Sequence, residues 1–189
     1  MRISAEFGHY ISDAHVPLHT TSNYNGQLTD QVGIHAFWES RIPELLADET
    51  FDFIIGKAAY IKNPGDFIWK RVLESAKAAD TVLLFERKLS ARYRDDLKYA
   101  FEERQGKIIR QYSSAYSIAY NNMLDGMVER RMRQAIFAIA SFWYTAWVNA
   151  GQPDLTEVTK QSFHEEELKK LEALNEAWKK SSRIIGREE

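Results

Sequence analysis

The chain of 189 residues is 44% apolar, 28% charged and 13% aromatic, which is too hydrophobic and too balanced in charge for disorder and long enough for one ordinary domain. A net charge of −2 and a pI near 6.2 exclude a basic field that would draw nucleic acid unaided, so a phosphate-bearing substrate would need a local positive source such as a metal ion. With no cysteine, disulfides, thiolate zinc sites and a cysteine nucleophile are all excluded.

Taken in chain order, Ile3, Phe7, Tyr10 and Ile11 recur at helical spacing, and Pro17 turns Val16 away from helical dihedrals, which predicts a first helix ending near Ala14. Residues 20–33, TTSNYNGQLTDQVG, read as a surface loop around Asn25-Gly26, long enough to hint at use. A second helix is expected from Gln31 or Gly33 to Leu46, capped by Asp30 and kinked or staggered at Pro43. FDFII at 51–55 is the single segment that reads as a strand. After Asn63-Pro64-Gly65, a helix from Asp66 to about Ser90 is expected to bury Ile68, Trp69, Val72, Leu73, Val82, Leu83 and Phe85, with a local break at Asp80.

The longest helical reading runs from Phe101 to Asn149, broken near Asn121-Asn122 or Gly126, and ends at Asn149-Ala150-Gly151-Gln152-Pro153. Beyond it the tail is charged, with a thin apolar stripe of Phe163, Leu168, Leu171, Leu174 and Trp178. The expected organisation is an all-α core over 1–155 and a peripheral helical tail over 156–189. The most apolar segment, AIFAIASFWYTAWV, is too short to span a bilayer, and MRISAEFGHY lacks the apolar stretch of a signal peptide.

Four of the five histidines fall within the first 35 residues. His9 and Asp13 are four apart on a helix, so both side chains leave one face, and His35 and Glu39 repeat the spacing. Each pair offers an imidazole and a carboxylate to a common point, the donor set that Zn²⁺ accepts when thiolates are absent. His19, just past Pro17, is placed to swing towards the same point, and the two pairs with this third histidine predict a shared metal site. His164 reads as tail surface. Tyr93, Tyr99, Tyr112, Tyr116 and Tyr120 read as packing rather than as base-stacking rings, and Arg130, Arg131 and Arg133 as a solvated helix face or partners of nearby acids. Asn25, between the ligand blocks, is a candidate substrate contact as well as a turn residue.

HYISDAHVPLH resembles the H-x-x-x-D-x-x-x-P-L-H block of the S1/P1 nuclease and zinc-dependent phospholipase C superfamily, and IHAFWES resembles its H-x-x-x-[DE] block. The likeness is looser beyond residue 46, although ERRMRQAIFAIASFWYTAWVNAG looks like the long closing helix of that multi-helical fold. The resemblance implies phosphodiester hydrolysis by metal-activated water in a three-zinc cleft. It makes His9 a ligand of one zinc, Asp13 a bridging catalytic carboxylate, and His19, His35 and Glu39 the holders of another zinc with a position open for water. His15 has no ligand role in that pattern and is left to packing or to a hydrogen bond behind a ligand.

Glu39 is closer to the phospholipase branch and Trp38 with Pro-Leu-His to the nuclease branch, so nucleic acid and phospholipid both stay open as substrates. Members also carry a mature N-terminal Trp, a His, an Asp and a His ahead of these blocks, which here begin at residue 9. The resemblance therefore covers the C-terminal portion of such a domain, and one zinc is expected in this chain, at His19, His35 and Glu39 with Asp13. Family members are typically secreted or periplasmic. A non-catalytic, shortened helical protein that binds zinc and self-associates, as a homo-oligomer, is the competing expectation.

Overall fold

The structure is a computed structural model that describes residues 2–104, 106–156 and 165–180. The chain divides into two compact units, Met1–Gly151 and Gln152–Glu189. Among the described residues it is predominantly helical with one two-stranded sheet.

Helix α1 (Arg2–Asp13) ends one residue before the predicted stop. Its Ile11 is buried with Ile61, Ala138 and Phe142, and Phe7 meets Phe142 edge-on at 5.4 Å. Ile3 and Tyr10 stay largely in solvent. The chain then tightens into a 3₁₀ turn, Pro17–Thr20, where proline's fixed φ suits the first position and Thr20 Oγ1 donates to the Pro17 carbonyl at 2.7 Å.

The second helical stretch spans 34–50 and has three parts: α2 (Ile34–Ala36), a π-helical turn (Phe37–Arg41) and α3 (Ile42–Thr50). It starts from Gly33 in the left-handed region (φ 96°), not from an Asp30 cap, and it runs past Leu46. Pro43 has no N–H for the carbonyl four residues back. The ladder widens just before it, with the Ile42 N–H reaching Phe37 O, so the kink expected at Pro43 takes the form of a π turn.

Residues 51–55 form no strand. The whole run 51–63 lies along a later helix, whose side chains take three of its N–H groups: Glu129 that of Asp52, Ser141 that of Ala59 and Thr145 that of Ile61. Helix α4 (Pro64–Ser90) is unbroken at Asp80. Ser75, Ala79, Val82, Leu83 and Glu86 make its buried face, whereas Trp69 and Leu73, expected inside, are 66% and 59% exposed.

The first part of the helix expected from Phe101 is instead an antiparallel hairpin of β1 (Tyr99–Arg104) and β2 (Lys107–Tyr112), preceded by a short helix, α5 (Asp95–Lys98). Gly106 at φ 74° turns the chain, and the β-branched Ile108-Ile109 favours the strand that follows. Buried Arg41 holds the hairpin: its Nε donates to Tyr112 O at 3.1 Å and its Nη2 meets Glu102 Oε1 at 2.5 Å. Helix α6 (Ser114–Met123) is capped by Ser113, whose Oγ accepts from the Tyr116 N–H. The predicted break falls at Asp125 and Gly126, both with positive φ, ahead of α7 (Met127–Asn149).

The main core gathers Leu18, Ile34, Phe37, Trp38, Ile42, Val82 and Leu83 with Tyr112, Tyr116, Tyr120, Leu124 and Val128. Phe37 stacks on Tyr112 and Tyr120 at 3.8 and 5.0 Å, so these tyrosines pack in the core, as expected. In the second unit, α8 (Glu165–Lys180) leaves Leu168 and Leu174 exposed. Phe163 and His164, and the side chains of Leu171 and Trp178, lie outside the description. Among the described residues no helix is long and apolar enough to cross a membrane.

A candidate metal centre

His19 reaches its place because Pro17 and Leu18 are buried and peg the 3₁₀ turn to the core, leaving the next side chain at the surface. His35 and Glu39 leave one face of the α2–π stretch, whose alternate face, Ile34, Phe37 and Trp38, is buried. The loop between these two anchors is itself ordered. Asn23 takes the Leu28 N–H on its Oδ1 at 2.7 Å and donates to Thr29 Oγ1 at 2.9 Å. Gln31 drives inward, its Nε2 donating to Leu83 O at 2.9 Å and to Glu86 Oε2 at 2.5 Å. Glu86 is buried, and its other oxygen accepts from Tyr116 at 2.8 Å and pairs with Lys98 at 3.0 Å, so the loop is tied to a buried polar network in which both Glu86 oxygens are engaged and Gln31 Oε1 has no partner.

The result is three donor atoms at one point. His35 Nε2 lies 2.8 Å from Glu39 Oε2 and 3.0 Å from His19 Nε2, and His19 Nε2 is 3.4 Å from the same Glu39 oxygen. Ligands bonded to one tetrahedral Zn²⁺ at about 2.0–2.1 Å stand about 3.3–3.4 Å apart. The His19–Glu39 separation equals that edge, whereas the two that involve His35 are shorter and lie at hydrogen-bond length, so the three atoms would have to spread by a few tenths of an ångström to take an ion. The side chains are 29%, 23% and 17% exposed, open enough for ion and water to enter.

No protein family, curated protein or solved structure matches the chain. The donor chemistry is therefore the argument for a cation: two imidazole nitrogens and a carboxylate oxygen aimed at each other, with no thiolate present, suit zinc.

The other sequence candidates fall around this triangle. Asp13 Oδ1 faces His19 Nδ1 at 3.9 Å, behind the ring, and Asp13 Oδ2 lies 3.4 Å from His9 Nε2. The His9–Asp13 pair thus adjoins the cluster through His19 without joining it, and His9 is 64% exposed. Asn25 turns its Oδ1 to the Gly33 N–H at 3.0 Å, bracing the start of α2. The residue that faces outward there is Tyr24, 43% exposed and 6.0 Å from the His35 ring, edge-on. An aromatic ring inside the polar run TSNYNG was its only signal in the sequence.

His15 has a packing role. Its ring is buried, Nδ1 donates to Ile11 O at 2.8 Å, and Nε2 is enclosed without a partner. Burial pushes its pKa down to about 4, so it is neutral at physiological pH. The Arg130–Arg133 run does not behave as one solvated face. Arg131 is buried, donating from Nε to His15 O at 2.8 Å and from Nη2 to Arg71 O at 3.1 Å, and burial lowers its pKa. Arg130 caps the Asp125 carbonyl, and Arg133 pairs with Asp52 at 2.9 Å.

Proposed function

We propose that this chain carries the zinc-holding part of a phosphodiester hydrolase of the S1/P1 nuclease or phospholipase C type, with His19, His35 and Glu39 as ligands. The convergence of those three donors from two separate elements carries the reading. Zinc bound by His19, His35 and Glu39 would supply Lewis-acid chemistry towards a phosphoryl oxygen and would lower the pKa of a bound water. Asp13 Oδ1 stands 3.9 Å from His19 Nδ1, on the side of the ring away from the cluster, so its charge lies behind the imidazole whose Nε2 faces the other two donors. In the resembled family the same aspartate bridges two ions. Tyr24 offers a flat apolar surface beside the cluster to a base or to an acyl or head-group carbon.

Elemental analysis of protein purified without added metal is expected to give about one zinc per chain, falling to near zero in His35→Ala, since loss of one of three protein ligands removes most of the affinity. Hydrolysis of bis-p-nitrophenyl phosphate that a chelator abolishes and zinc restores supports the enzyme. Zinc without turnover on that ester, on single-stranded DNA or on phosphatidylcholine favours a non-catalytic zinc-binding protein. That second reading has its own support in an apolar groove of about 380 Å³ lined by Ile3, Phe7, Pro64, Phe142 and Trp143, a surface suited to self-association. A monomer at high concentration in light scattering would remove it.

A further inference from the structure

Away from the histidine cluster, helices α4 and α7 and the extended segment between α3 and α4 line an open, shallow pocket of about 300 Å³ formed by Ile55, Phe67, Arg71, Arg133, Gln134 and Phe137. Each helix presents one phenylalanine and one arginine a single turn apart, Phe67 with Arg71 and Arg133 with Phe137. The lining holds two cations, one amide and three apolar side chains, and no acid.

Both guanidinium groups are held in place. Arg71 pairs with Glu74 through Nη1 at 3.0 Å and lies over the Phe67 ring at 5.2 Å. Arg133 is held by the Asp52 carboxylate and by the carbonyls of Asp52 and Ile54. Glu74 engages Nη1 of Arg71, while the enclosed Nε–H has no acceptor, a state that native interiors rarely leave unmet. Nε and Nη2 share the guanidinium edge that takes an oxyanion in two parallel hydrogen bonds, and here a shift of the Arg71 side chain has to open the enclosed Nε–H to the pocket first.

We propose that this pocket binds a small organic anion, a phosphate or carboxylate group on a single apolar ring, with the oxyanion on Arg71 and Arg133 and the ring between Phe67 and Phe137. The volume is at the small end of ligand sites, which matches one ring and one charged group. None of the lining residues belongs to the proposed zinc site, so the two readings stand or fall separately.

The test is calorimetric titration of the full chain, with EDTA present to strip the histidine cluster, using phenyl phosphate, benzoate, inorganic phosphate and benzyl alcohol as probes. Phenyl phosphate or benzoate is expected to saturate below roughly 1 mM, with inorganic phosphate and benzyl alcohol each weaker by about tenfold, because each lacks half of the recognition. Saturation by only one aryl anion identifies the charged group, and either result supports the site. Arg71→Gln is expected to weaken binding by about tenfold or more, Arg71→Lys to restore part of it, and His35→Ala to leave it unchanged. Arg133→Gln checks the second cation, and thermal melts show which variants stay folded. No saturable binding of either aryl anion, binding unchanged in folded Arg71→Gln, or binding lost in His35→Ala overturns the proposal.

Discussion

At Gly26 the backbone takes φ 75°, and a Cβ placed there would lie 2.6 Å from the carbonyl carbon of Gln31 and closer still to its oxygen. That oxygen belongs to backbone, which has nowhere to swing. Gly33 shares a positive φ of 96° but has nothing within 4 Å of such a Cβ. Gly26→Ala is therefore expected to cost about 3 kcal/mol or more and Gly33→Ala only about 1 kcal/mol, as compared by denaturant melts. Zinc affinity is expected to fall with the first, because Gly26 shapes the loop between His19 and His35. His15 gives a second test at this scale. Its folded pKa of about 4 is below the ordinary 6.5, so the unfolded chain takes up a proton first as pH drops. The stability it confers is complete above pH 6.5 and is lost as pH falls towards 4, by about 3 kcal/mol in all. Arg131, Arg71 and Glu74 are the charged groups that act on it, the arginines adding to the depression and Glu74 opposing it. Melts from pH 7.5 to 4 with EDTA present are expected to show this slope, and His15→Gln to flatten it.

Between elements, one side chain does most to decide where the hairpin lies. Arg41 leaves the π turn and bonds both the last residue of β2 and the Glu102 carboxylate of β1, from a position only 6% exposed. A lone two-stranded hairpin is marginal in water, so its docking depends on this guanidinium and on Tyr99 and Tyr112 against the core. Arg41→Leu is expected to lower stability by about 2–4 kcal/mol, since Glu102 and the Tyr112 carbonyl lose their donor. Amide exchange in residues 99–112 should accelerate more than in α7. Equal acceleration throughout the chain would mean that the hairpin does not open as a unit.

At the scale of the molecule, every ligand of the proposed zinc site and every wall of the anion pocket belongs to Met1–Gly151. A chain ending at Gly151 is expected to keep its zinc content and to melt cooperatively. Loss of zinc on that truncation would show that the charged tail contributes to the site. The thirteen-residue run 51–63 between α3 and α4 also belongs to this scale. It has no strand partner, yet Glu129, Ser141 and Thr145 of α7 accept three of its N–H groups, those of Asp52, Ala59 and Ile61, and Ile55 lines one side of the pocket.

That His19, His35 and Glu39 could share one point was legible in the sequence, because i, i+4 spacing on a helix and a proline before His19 are local facts that survive in any packing. The same holds for the long amphipathic stretch that became α7 and for the helix stop after Asn149. What tertiary structure decided are matters of partnership at long range. Residues 99–112 became a hairpin because Arg41, sixty residues upstream, and the tyrosine core were there to receive it. Trp69 and Leu73 stayed outside because α4 turns its Ser75–Ala79–Glu86 face inward, where Arg131, Gln31 and Lys98 meet the polar atoms. Periodicity reports which residues share a face. Which face is buried depends on what the rest of the chain brings to it, and a buried glutamate or arginine is stable only when distant partners arrive together.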